Sequence, residues 1–495
     1  MKITFVYLGA ESLSIEILSS VLRKNKHSTY LAFDPGLFAE RQYLDMPFLA
    51  RIFDYKKRLL KDIYNTQPDI VAFSVGTDIY QWACGIAEEI KKNSNVPIIF
   101  GGIHPTSVPE RVIKNEFVDM LCIGEGEESI VEIANQLEGG KLSYDIKNIW
   151  FKKNGEVIRN DTRPLIQELD SLPFPDKSLF EDHVLMKNGR YMIMTSRGCP
   201  YDCTYCYNNV LRNMYSGKGK YVRQRSIENV IAELKQMKKR YNFSGVDFMD
   251  DLFVMNKKWL REFVPEYKKE IGLPYDCMTH TPAIDYDTAL LLKESGCHRI
   301  KFGVQTMNEE TRHEILKRPF EKTEYIERAL NICDKFGIGY SLDHIIGIPG
   351  ETHKDWLDTA EFYSQTGAER VCCYSLYYYP KTEIIQKALS QNILEKKDVE
   401  KIEDGKCPIY TYGSSLIGKD LKTFFAFRKF YALVKIFPKS LMRFFLKPLI
   451  FPVFFFLPKA IFLVFEFMAS LKTGHLRGLD FVKYYMFHLK RRFAR

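Results

Sequence analysis

The chain of 495 residues is 46% hydrophobic and 27% charged, a composition typical of a globular protein with several domains of roughly 150 residues each. Its eleven cysteines are too few for a disulfide scaffold and fit a reducing cytosol. The net charge of +9 is misleading as an average, because residues 421–495 hold 15 Lys and Arg against two acids. The excess positive charge therefore indicates what residues 421–495 bind, and it does not indicate the partners of the rest of the chain. The opening MKITFVYLGAES predicts a strand and a turn, not a signal peptide, so we expect a cytoplasmic protein.

Residues 1–140 alternate strand and helix patterns. Apolar, β-branched runs that end near glycine recur as KITFVYLG, DIVAFSVG, VPIIFGG and VDMLCIGEGE, and helical patterns such as QWACGIAEEIKKN lie between them. This alternation predicts an α/β domain with a doubly wound, Rossmann-like parallel sheet. Ligands of such sheets bind at the carboxyl ends of the strands. The loops SVGT (74–77), GGIHP (101–105) and GEGE (124–127) fall there.

A hairpin and a linker are predicted for residues 141–185, from WFKKNGEVIRND and the proline-rich LDSLPFPDKSLF. From 186 to 395 the strand and helix alternation resumes six times, with strands at YMIMTS, GVDFMDD, YDCMTH, RIKFGV, YSLDHIIG and RVCCYSLYYY. Six repeats are too few for an eight-fold barrel and predict a partial (β/α)6 barrel. The first strand runs directly into residues 196–209, which places that loop at the C-terminal mouth of the barrel. Residues 396–495 are expected to form a helical extension.

Residues 196–209, SRGCPYDCTYCYNN, place Cys199, Cys203 and Cys206 within eight positions. A structural zinc site usually has four ligands, and no further Cys or His follows until Cys277. A cluster held by three thiolates leaves one iron atom open to another ligand. A zinc knuckle or three packing cysteines is the structural alternative.

With the aromatic Tyr205 before its last cysteine, the loop resembles the C-x-x-x-C-x-aromatic-C loop of the radical S-adenosylmethionine (SAM) superfamily. The resemblance implies a [4Fe–4S] cluster on the three cysteines, with SAM bound at the open iron. It also implies reductive cleavage of SAM to a 5′-deoxyadenosyl radical, with electrons from a low-potential donor such as a flavodoxin or ferredoxin. No side chain is assigned a catalytic role.

Several further positions match motifs of that superfamily. The residues that the resemblance assigns to SAM, besides Tyr205, are Asp250, Asp251, Gln305, Ile346 and Ile348. The paired carboxylates follow a strand and are expected to accept hydrogen bonds from the methionine ammonium, although a helix N-cap is the alternative. Gln305 stands where the family often has Glu, so the ionic form of that contact is lost. The backbone beside the two isoleucines, in HIIGIPGET, is expected to contact adenine, with a plain Gly-Pro turn as the alternative. Arg223 and Arg225 are candidates for the SAM carboxylate.

The segments FGGIHPTSVPE and VDMLCIGEGEES, upstream of the cysteine loop, resemble the cobalamin-binding domain of many radical SAM enzymes. The residues assigned to cobalamin are Ser74, Thr77, Gly101, Gly102, His104 and Glu125. The glycines are expected to admit the nucleotide tail, and His104 and Glu125 to face the corrin ring. The histidine motif D-x-H-x-x-G is absent, so cobalt receives no histidine from that loop. A flavodoxin-like domain without its ligand, and His104 as an axial ligand, are the alternatives.

The basic tail, residues 421–495, contains twenty aromatic residues. Its longest uncharged run, 448–458, has eleven residues and three prolines, far short of the roughly 20 residues of a spanning helix. The cations Arg428, Lys435, Lys439, Arg443 and Lys447 recur at helical spacing, which predicts one basic helical face with a kink at Pro438. The pattern indicates helices lying in a membrane interface. A helical cap that buries its aromatics against the barrel is the alternative. Nucleic acid is disfavoured because the segment is too apolar.

Taken together, these patterns predict a cobalamin-dependent radical SAM enzyme that works anaerobically and methylates an unactivated carbon of a lipophilic or membrane-associated substrate. One alternative is cyclisation or rearrangement without methyl transfer, as in the anaerobic porphyrin-ester cyclase family. Another is a cobalamin- or SAM-binding sensor without chemistry. The sequence identifies neither the substrate nor a hydrogen-atom relay, since Cys372, Cys373 and Tyr374 are no better than packing residues for that role.

Overall fold

The computed structural model of the protein describes residues 1–40, 44–184, 189–406, 419–458, 461–473 and 477–493. The strands of the N-terminal part are β1 (Lys2–Leu8), β2 (Ser28–Asp34), β3 (Ala39–Glu40), β4 (Leu44–Asp45), β5 (Ile70–Ser74), β6 (Ile98–Gly101), β7 (Met120–Cys122), β8 (Ile149–Lys153) and β9 (Glu156–Arg159). Its helices are α1 (Leu13–Lys24), α2 (Pro47–Ile52), α3 (Lys56–Thr66), α4 (Tyr80–Asn93), α5 (Ile103–Ser107), α6 (Pro109–Val112) and α7 (Glu127–Glu138).

Seven of these strands form one sheet in the order β2-β1-β5-β6-β7-β8-β9. The first five are parallel, and the predicted hairpin β8–β9 extends the sheet antiparallel to β7. Because helices cover both faces, the strands are apolar on both sides: Phe5 packs into one core and Val6 into the other. The predicted doubly wound sheet is confirmed, and the loops that follow β5, β6 and β7 meet at its carboxyl edge.

The second part of the chain is a six-stranded parallel sheet in the order β10-β13-β14-β15-β16-β17. Its strands, with the short β11–β12 pair, are β10 (Arg190–Ile193), β11 (Ser196–Arg197), β12 (Arg223–Gln224), β13 (Gly245–Phe248), β14 (Tyr275–Thr279), β15 (Cys297–Gln305), β16 (Gly339–Ile346) and β17 (Arg370–Ser375). Its helices are α8 (Tyr207–Met214), α9 (Ile227–Arg240), α10 (Lys257–Glu270), α11 (Tyr286–Glu294), α12 (Thr323–Phe336), α13 (His353–Ser364), α14 (Ile384–Ser390) and α15 (Lys396–Glu403). The sequential order of six parallel strands confirms the predicted partial barrel.

The C-terminal helices are α16 (Lys419–Tyr431), α17 (Lys439–Phe445), α18 (Val453–Phe456), α19 (Ile461–Thr473) and α20 (Arg477–Phe493). Aromatic side chains of α16, among them Phe427 and Phe430, are fully buried in the same hydrophobic core as the barrel. The far end of the chain returns to the N-terminal domain, where the Tyr484 hydroxyl donates to the Gly9 carbonyl at 2.8 Å. Helix α16 therefore caps the barrel, and α20 connects the tail to the N-terminal domain.

The predicted single basic face across residues 428–447 is wrong. Helix α16 ends at Tyr431, and Pro438 starts a new helix as its N-cap instead of kinking one helix. The cations consequently point to different partners: Arg428 lies over the Phe462 ring at 4.1 Å, and Arg443 pairs with Glu361 at 3.2 Å. Within the described ranges, no helix combines the length and apolar character needed to cross a bilayer.

Candidate active site

The cysteine loop leaves the carboxyl end of the first barrel strand, as predicted. Strand β11, just before Cys199, pairs with β12. Gly198 between them has φ +85°, and a Cβ there would lie 2.5 Å from the Tyr221 carbonyl oxygen, so only glycine fits the turn. On its other side the loop is fixed by Thr204, whose amide donates to Leu316 O at 3.2 Å and whose hydroxyl donates to Ile315 O at 2.7 Å. The thiols are thus held on a rigid frame.

Burial, reinforced by Asp251 and the neighbouring thiols, raises the pKa of Cys199 to about 12. Burial also raises the pKa of Cys206 to about 11. Thiols in this setting stay protonated at neutral pH unless a metal takes the proton's place. Among the residues that the structure describes, no three His, Cys, Asp or Glu side chains converge on one metal ion. The loop itself offers three thiols, one fewer than the four ligands of a usual structural zinc site, and this number fits a polynuclear cluster in which each thiolate binds a different iron.

The two predicted acidic SAM ligands have different surroundings. Asp250 is fully buried, and its Oδ1 accepts hydrogen bonds from Thr195 N at 3.0 Å, Thr195 Oγ1 at 2.8 Å and Ser196 Oγ at 2.5 Å. Burial raises its pKa to about 6 in spite of these donors. Asp251 is exposed, and its Oδ2 accepts from Asn208 Nδ2 at 3.1 Å, beside Cys206. Asp250 thus anchors the start of the cysteine loop, which leaves Asp251 as the better candidate for the methionine ammonium.

The remaining predicted SAM residues lie on neighbouring strand ends. Gln305 ends β15 with φ +69°, opposite His344 of β16. Ile346 and Ile348 are buried, and their carbonyl oxygens accept from Leu376 N at 2.8 Å and Glu351 N at 3.1 Å. An adenine would therefore meet the amide groups of these isoleucines or a second carbonyl lone pair. The hydroxyl of the half-buried Tyr205 accepts from Arg318 Nη1 at 3.1 Å. Their SAM contacts stay predictions.

Neither arginine proposed for the SAM carboxylate is free for it. Arg223 is buried and binds Glu125 and the Ile166 carbonyl. Arg225 pairs with Glu233 at 2.7 Å and donates to the Met194 carbonyl at 3.1 Å. Both guanidinium groups are thus committed to protein partners.

At the carboxyl edge of the first sheet, Thr77 and His104 are fully buried, and Thr77 Oγ1 lies 3.2 Å from His104 Nδ1. The His104 ring lies 4.1 Å from that of Tyr80, its Nε2 has no hydrogen-bond partner in the described parts of the chain, and burial lowers its pKa to about 4. The imidazole is therefore neutral. Ser74 ends β5 and is half-buried beside Gly101 of β6.

Gly102 is required for a reason other than the expected one. Its φ is +101°, and a Cβ would lie 2.7 Å from Val75 N and 2.9 Å from Val75 O. The glycine thus lets two loops of the domain approach each other closely, whatever ligand they hold.

Glu125 joins the two domains. Its Oε1 lies 2.8 Å from Arg223 Nη2 and 3.1 Å from Arg197 Nη1, and Arg197 Nη2 lies 2.6 Å from Glu127 Oε1. Burial alone would raise the pKa of Glu125, but the hydrogen bonds and charges of both arginines outweigh it and hold the pKa below 4.5. These ion pairs already give Glu125 a structural role between the domains. Its contact with the corrin ring stays a prediction.

A second contact brings helix α8, which begins directly after Cys206, onto the GGIHP loop. The Tyr207 hydroxyl donates to Ile103 O at 2.7 Å and accepts from Ser107 Oγ at 2.9 Å. Nearby, the Tyr215 hydroxyl accepts from Glu125 N at 2.9 Å. The loops predicted for cobalamin and the loop predicted for the cluster therefore touch directly.

Sequence reasoning did not single out Arg197, Tyr207, Arg318 or Glu351. Glu351 lies within the predicted adenine segment, and burial raises its pKa to about 7. Each of these residues is an isolated polar residue without a spacing pattern, so its role is visible only from its partners in space. The one sequence signal is that Arg197 and Tyr207 flank the cysteine loop.

Comparison with known proteins agrees with this arrangement. Residues 193–363 match the model of the radical SAM superfamily, and residues 6–134 match that of the B12 binding domain. Residues 193–363 are thus a radical SAM domain, and residues 6–134 are a cobalamin-binding domain. The protein is a radical SAM enzyme, and its cofactors are a [4Fe–4S] cluster, SAM and cobalamin.

Individual relatives cover much of the chain. An uncharacterized methyltransferase of Pyrococcus horikoshii is 29% identical over 341 residues, which are 68% of this chain and 72% of the relative. An anaerobic magnesium-protoporphyrin IX monomethyl ester cyclase of Cereibacter sphaeroides is 24% identical over 417 residues, 79% of this chain and 64% of the relative. The solved structure of the cobalamin-dependent radical enzyme OxsB, with aqua-cobalamin and SAM bound, has a TM-score of 0.65 at 15% identity and covers 97% of this chain and 80% of its own. The fold is thus shared over nearly the whole chain.

The ion pairs of Glu125 generate the first prediction. Glu125→Ala leaves the buried guanidinium group of Arg223 and the half-buried one of Arg197 without this partner, which should lower the free energy of unfolding by about 3 kcal/mol. The contribution of the carboxylate is present above pH 4.5 and is lost as the pH falls through its lowered pKa. The destabilisation, measured by urea denaturation of the metal-free protein, should therefore shrink in acid. Glu128→Ala, an exposed neighbour on α7, is the matched control and should change stability by less than about 0.5 kcal/mol. Equal effects of the two variants would contradict the role of Glu125.

The different surroundings of the two aspartates give the second prediction. Asp251→Asn should weaken SAM binding about tenfold, the loss of one charge-assisted hydrogen bond, and leave the iron content unchanged. Asp250→Ala should lower stability and iron content, because Thr195 and Ser196 lose their shared acceptor. Calorimetric SAM titration and iron analysis of the reconstituted protein measure both effects. Full SAM affinity in Asp251→Asn would exclude the ammonium contact.

Proposed function

We propose that this protein transfers a methyl group to an unactivated carbon of a lipophilic substrate, with cobalamin as the methyl carrier. The observation that carries the proposal is the direct contact of the cysteine loop and α8 with the cobalamin loops, through Arg197 and Tyr207. Radical chemistry and methyl delivery must reach the same substrate carbon, so both cofactors have to face one space. The relative from Pyrococcus horikoshii, which carries the name methyltransferase, supports the reaction class.

When bound, the cluster and SAM supply a radical that removes a hydrogen atom from the substrate, and cobalamin supplies the methyl group. The chain itself would orient these groups: the Glu125 pairs fix the two domains, and Asp251 would accept a hydrogen bond from the SAM ammonium. Electrons come from a low-potential flavodoxin or ferredoxin.

The interior of the barrel supports a substrate that has one polar end. Ile300 and Phe302 of β15 face the surrounding helices, so Lys301 between them faces inward. Its Nζ pairs with Asp343 Oδ2 at 3.1 Å and lies 5.9 Å from the Tyr374 ring. We propose that this half-buried pair orients the polar group of an otherwise apolar substrate.

Cyclisation without methyl transfer is the second candidate, favoured by the ester cyclase relative that spans 79% of this chain. The reaction products separate the two. The reconstituted enzyme with SAM, hydroxocobalamin and reductant, incubated without oxygen, should form both 5′-deoxyadenosine and S-adenosylhomocysteine. Cyclisation would give 5′-deoxyadenosine alone, and a non-catalytic sensor would give neither. The variant lacking Cys199, Cys203 and Cys206 is the control and should form no 5′-deoxyadenosine.

We further propose that the protein meets this substrate at the cytoplasmic face of a membrane. Two bulky apolar side chains beyond α17 are almost fully exposed, Leu449 at 91% and Phe456 at 86%. Helix α19 adds an exposed apolar stripe made of Val464, Phe467, Met468 and Leu471. Exposed cations, Lys447 and Lys472, adjoin both groups. Apolar side chains rimmed by cations match an anionic lipid surface.

A flotation assay tests this surface. The full-length protein should float with vesicles that contain anionic phospholipid and not with purely zwitterionic vesicles. The double variant Leu449→Asp/Phe456→Asp should lose at least tenfold in bound fraction, since carboxylates are repelled by the lipid and insert poorly. Phe48→Asp is the matched control, because Phe48 is 75% exposed but lies on the N-terminal domain. Equal losses in the two variants, or no flotation of the wild type, would refute membrane docking.

A further inference from the structure

We propose that Arg318 sets the reduction potential of the iron–sulfur cluster through its contact with the sulfur of Cys203. The inference extends the proposed function, because the potential of the cluster decides whether a donor can drive SAM cleavage. It concerns a positioning residue that does not itself bind the substrate.

The guanidinium group of Arg318 contacts two residues of the cysteine loop. Its Nη1 is 3.7 Å from Cys203 Sγ and 3.1 Å from the Tyr205 hydroxyl, and its Nη2 donates to the Gly303 carbonyl at 2.7 Å. The side chain is almost entirely buried. An N–H group of Arg318 therefore points at the sulfur of a predicted cluster ligand. Because the site is buried, water does not compete for this contact.

A buried acid holds this guanidinium in place. Glu321 has no exposed surface and pairs with both Nε and Nη2 of Arg318, the former at 3.1 Å. The other carboxylate oxygen of Glu321 accepts from Thr281 Oγ1 at 2.8 Å. Because Thr204 is hydrogen bonded to Ile315 and Leu316 of the same loop, the thiol and the guanidinium cannot drift apart.

Charge and hydrogen bonding act on the potential in a definite direction. Reduction adds one negative charge to the cluster, and a cation or N–H donor at a sulfur ligand stabilises the reduced form. Arg318 therefore raises the potential. The carboxylate of Glu321 offsets part of that effect from the far side of the guanidinium. Removal of the cation and removal of the anion should accordingly shift the midpoint potential in opposite directions.

The experiment is a potentiometric titration of the reconstituted full-length enzyme, followed by electron paramagnetic resonance and normalised to iron content. Arg318→Met should shift the midpoint to a more negative value, and Glu321→Gln to a more positive one. Arg318→Lys, which keeps the charge but loses the planar fork, should fall between Arg318→Met and the wild type. The matched control is Arg312→Met: Arg312 is fully buried in the same loop and donates to Thr306 O and Glu321 O, and among the described residues it has no hydrogen bond to a thiol.

The possible outcomes are distinct. Unchanged midpoints in Arg318→Met and Glu321→Gln, or shifts of both in the same direction, would overturn the inference. An equal shift in Arg312→Met would assign the effect to loop packing and would also overturn it. If Arg318→Met fails to hold a cluster, Arg318→Lys and Glu321→Gln decide by the signs of their shifts. A wild-type protein without any cluster signal would instead refute the cofactor assignment, so the two failures are distinguishable.

Discussion

The relation between the two domains depends on a small buried network of ion pairs. Glu125 and Glu127 come from the GEGE loop of the first domain, and Arg197 and Arg223 from the two short strands that frame the cysteine loop. The removal of such charges from water costs several kcal/mol per ion, and only close pairing offsets this cost. The network therefore tolerates one relative position of the domains and penalises others. It supplies orientation more than net stability.

That fixed orientation is what the chemistry of the site requires. In the proposed methyl transfer, a carbon radical reacts with whatever lies next to it, so the methyl carrier would have to be in place before the radical forms. Tyr207 contributes a second restraint, because it follows the last cysteine directly and bonds to the carbonyl of Ile103. The cysteine loop is thus fixed from three sides: by Arg197, by Tyr207 and, through Thr204, by the loop that carries Arg318. The partners of these residues come from three different regions of the sequence: the GEGE loop, the GGIHP loop and the loop of Ile315 and Leu316.

How much of this structure the sequence predicts depends on how far apart in the chain the interacting residues lie. The six barrel strands and the cysteine loop have local signatures, so they were predictable. Strand β2, STYLAFD, was not predicted, because it begins with Ser28 and Thr29 and ends with Asp34 and so lacks the longer apolar run of the neighbouring strands. The pairs Arg197–Glu125 and Asp250–Thr195 join residues 72 and 55 positions apart. No spacing rule connects such residues, so the division of labour between Asp250 and Asp251 required the fold.

The C-terminal segment illustrates a limit of amphipathic patterns. Aromatic residues alternating with cations satisfy both a helix that caps a core and a helix that lies on lipid, because each needs one apolar and one solvated face. Helix α16 buries Phe427 and Phe430 in the barrel core, whereas α19, tied to β17 by the Glu466–Arg370 pair at 2.7 Å, keeps its apolar stripe outside. The structure thus assigns the capping interpretation to α16, and the lipid contact of α19 stays a proposal. Since the cap anchors the exposed helices to the barrel wall, a partner bound by α19 would lie at a fixed position relative to the last barrel strand.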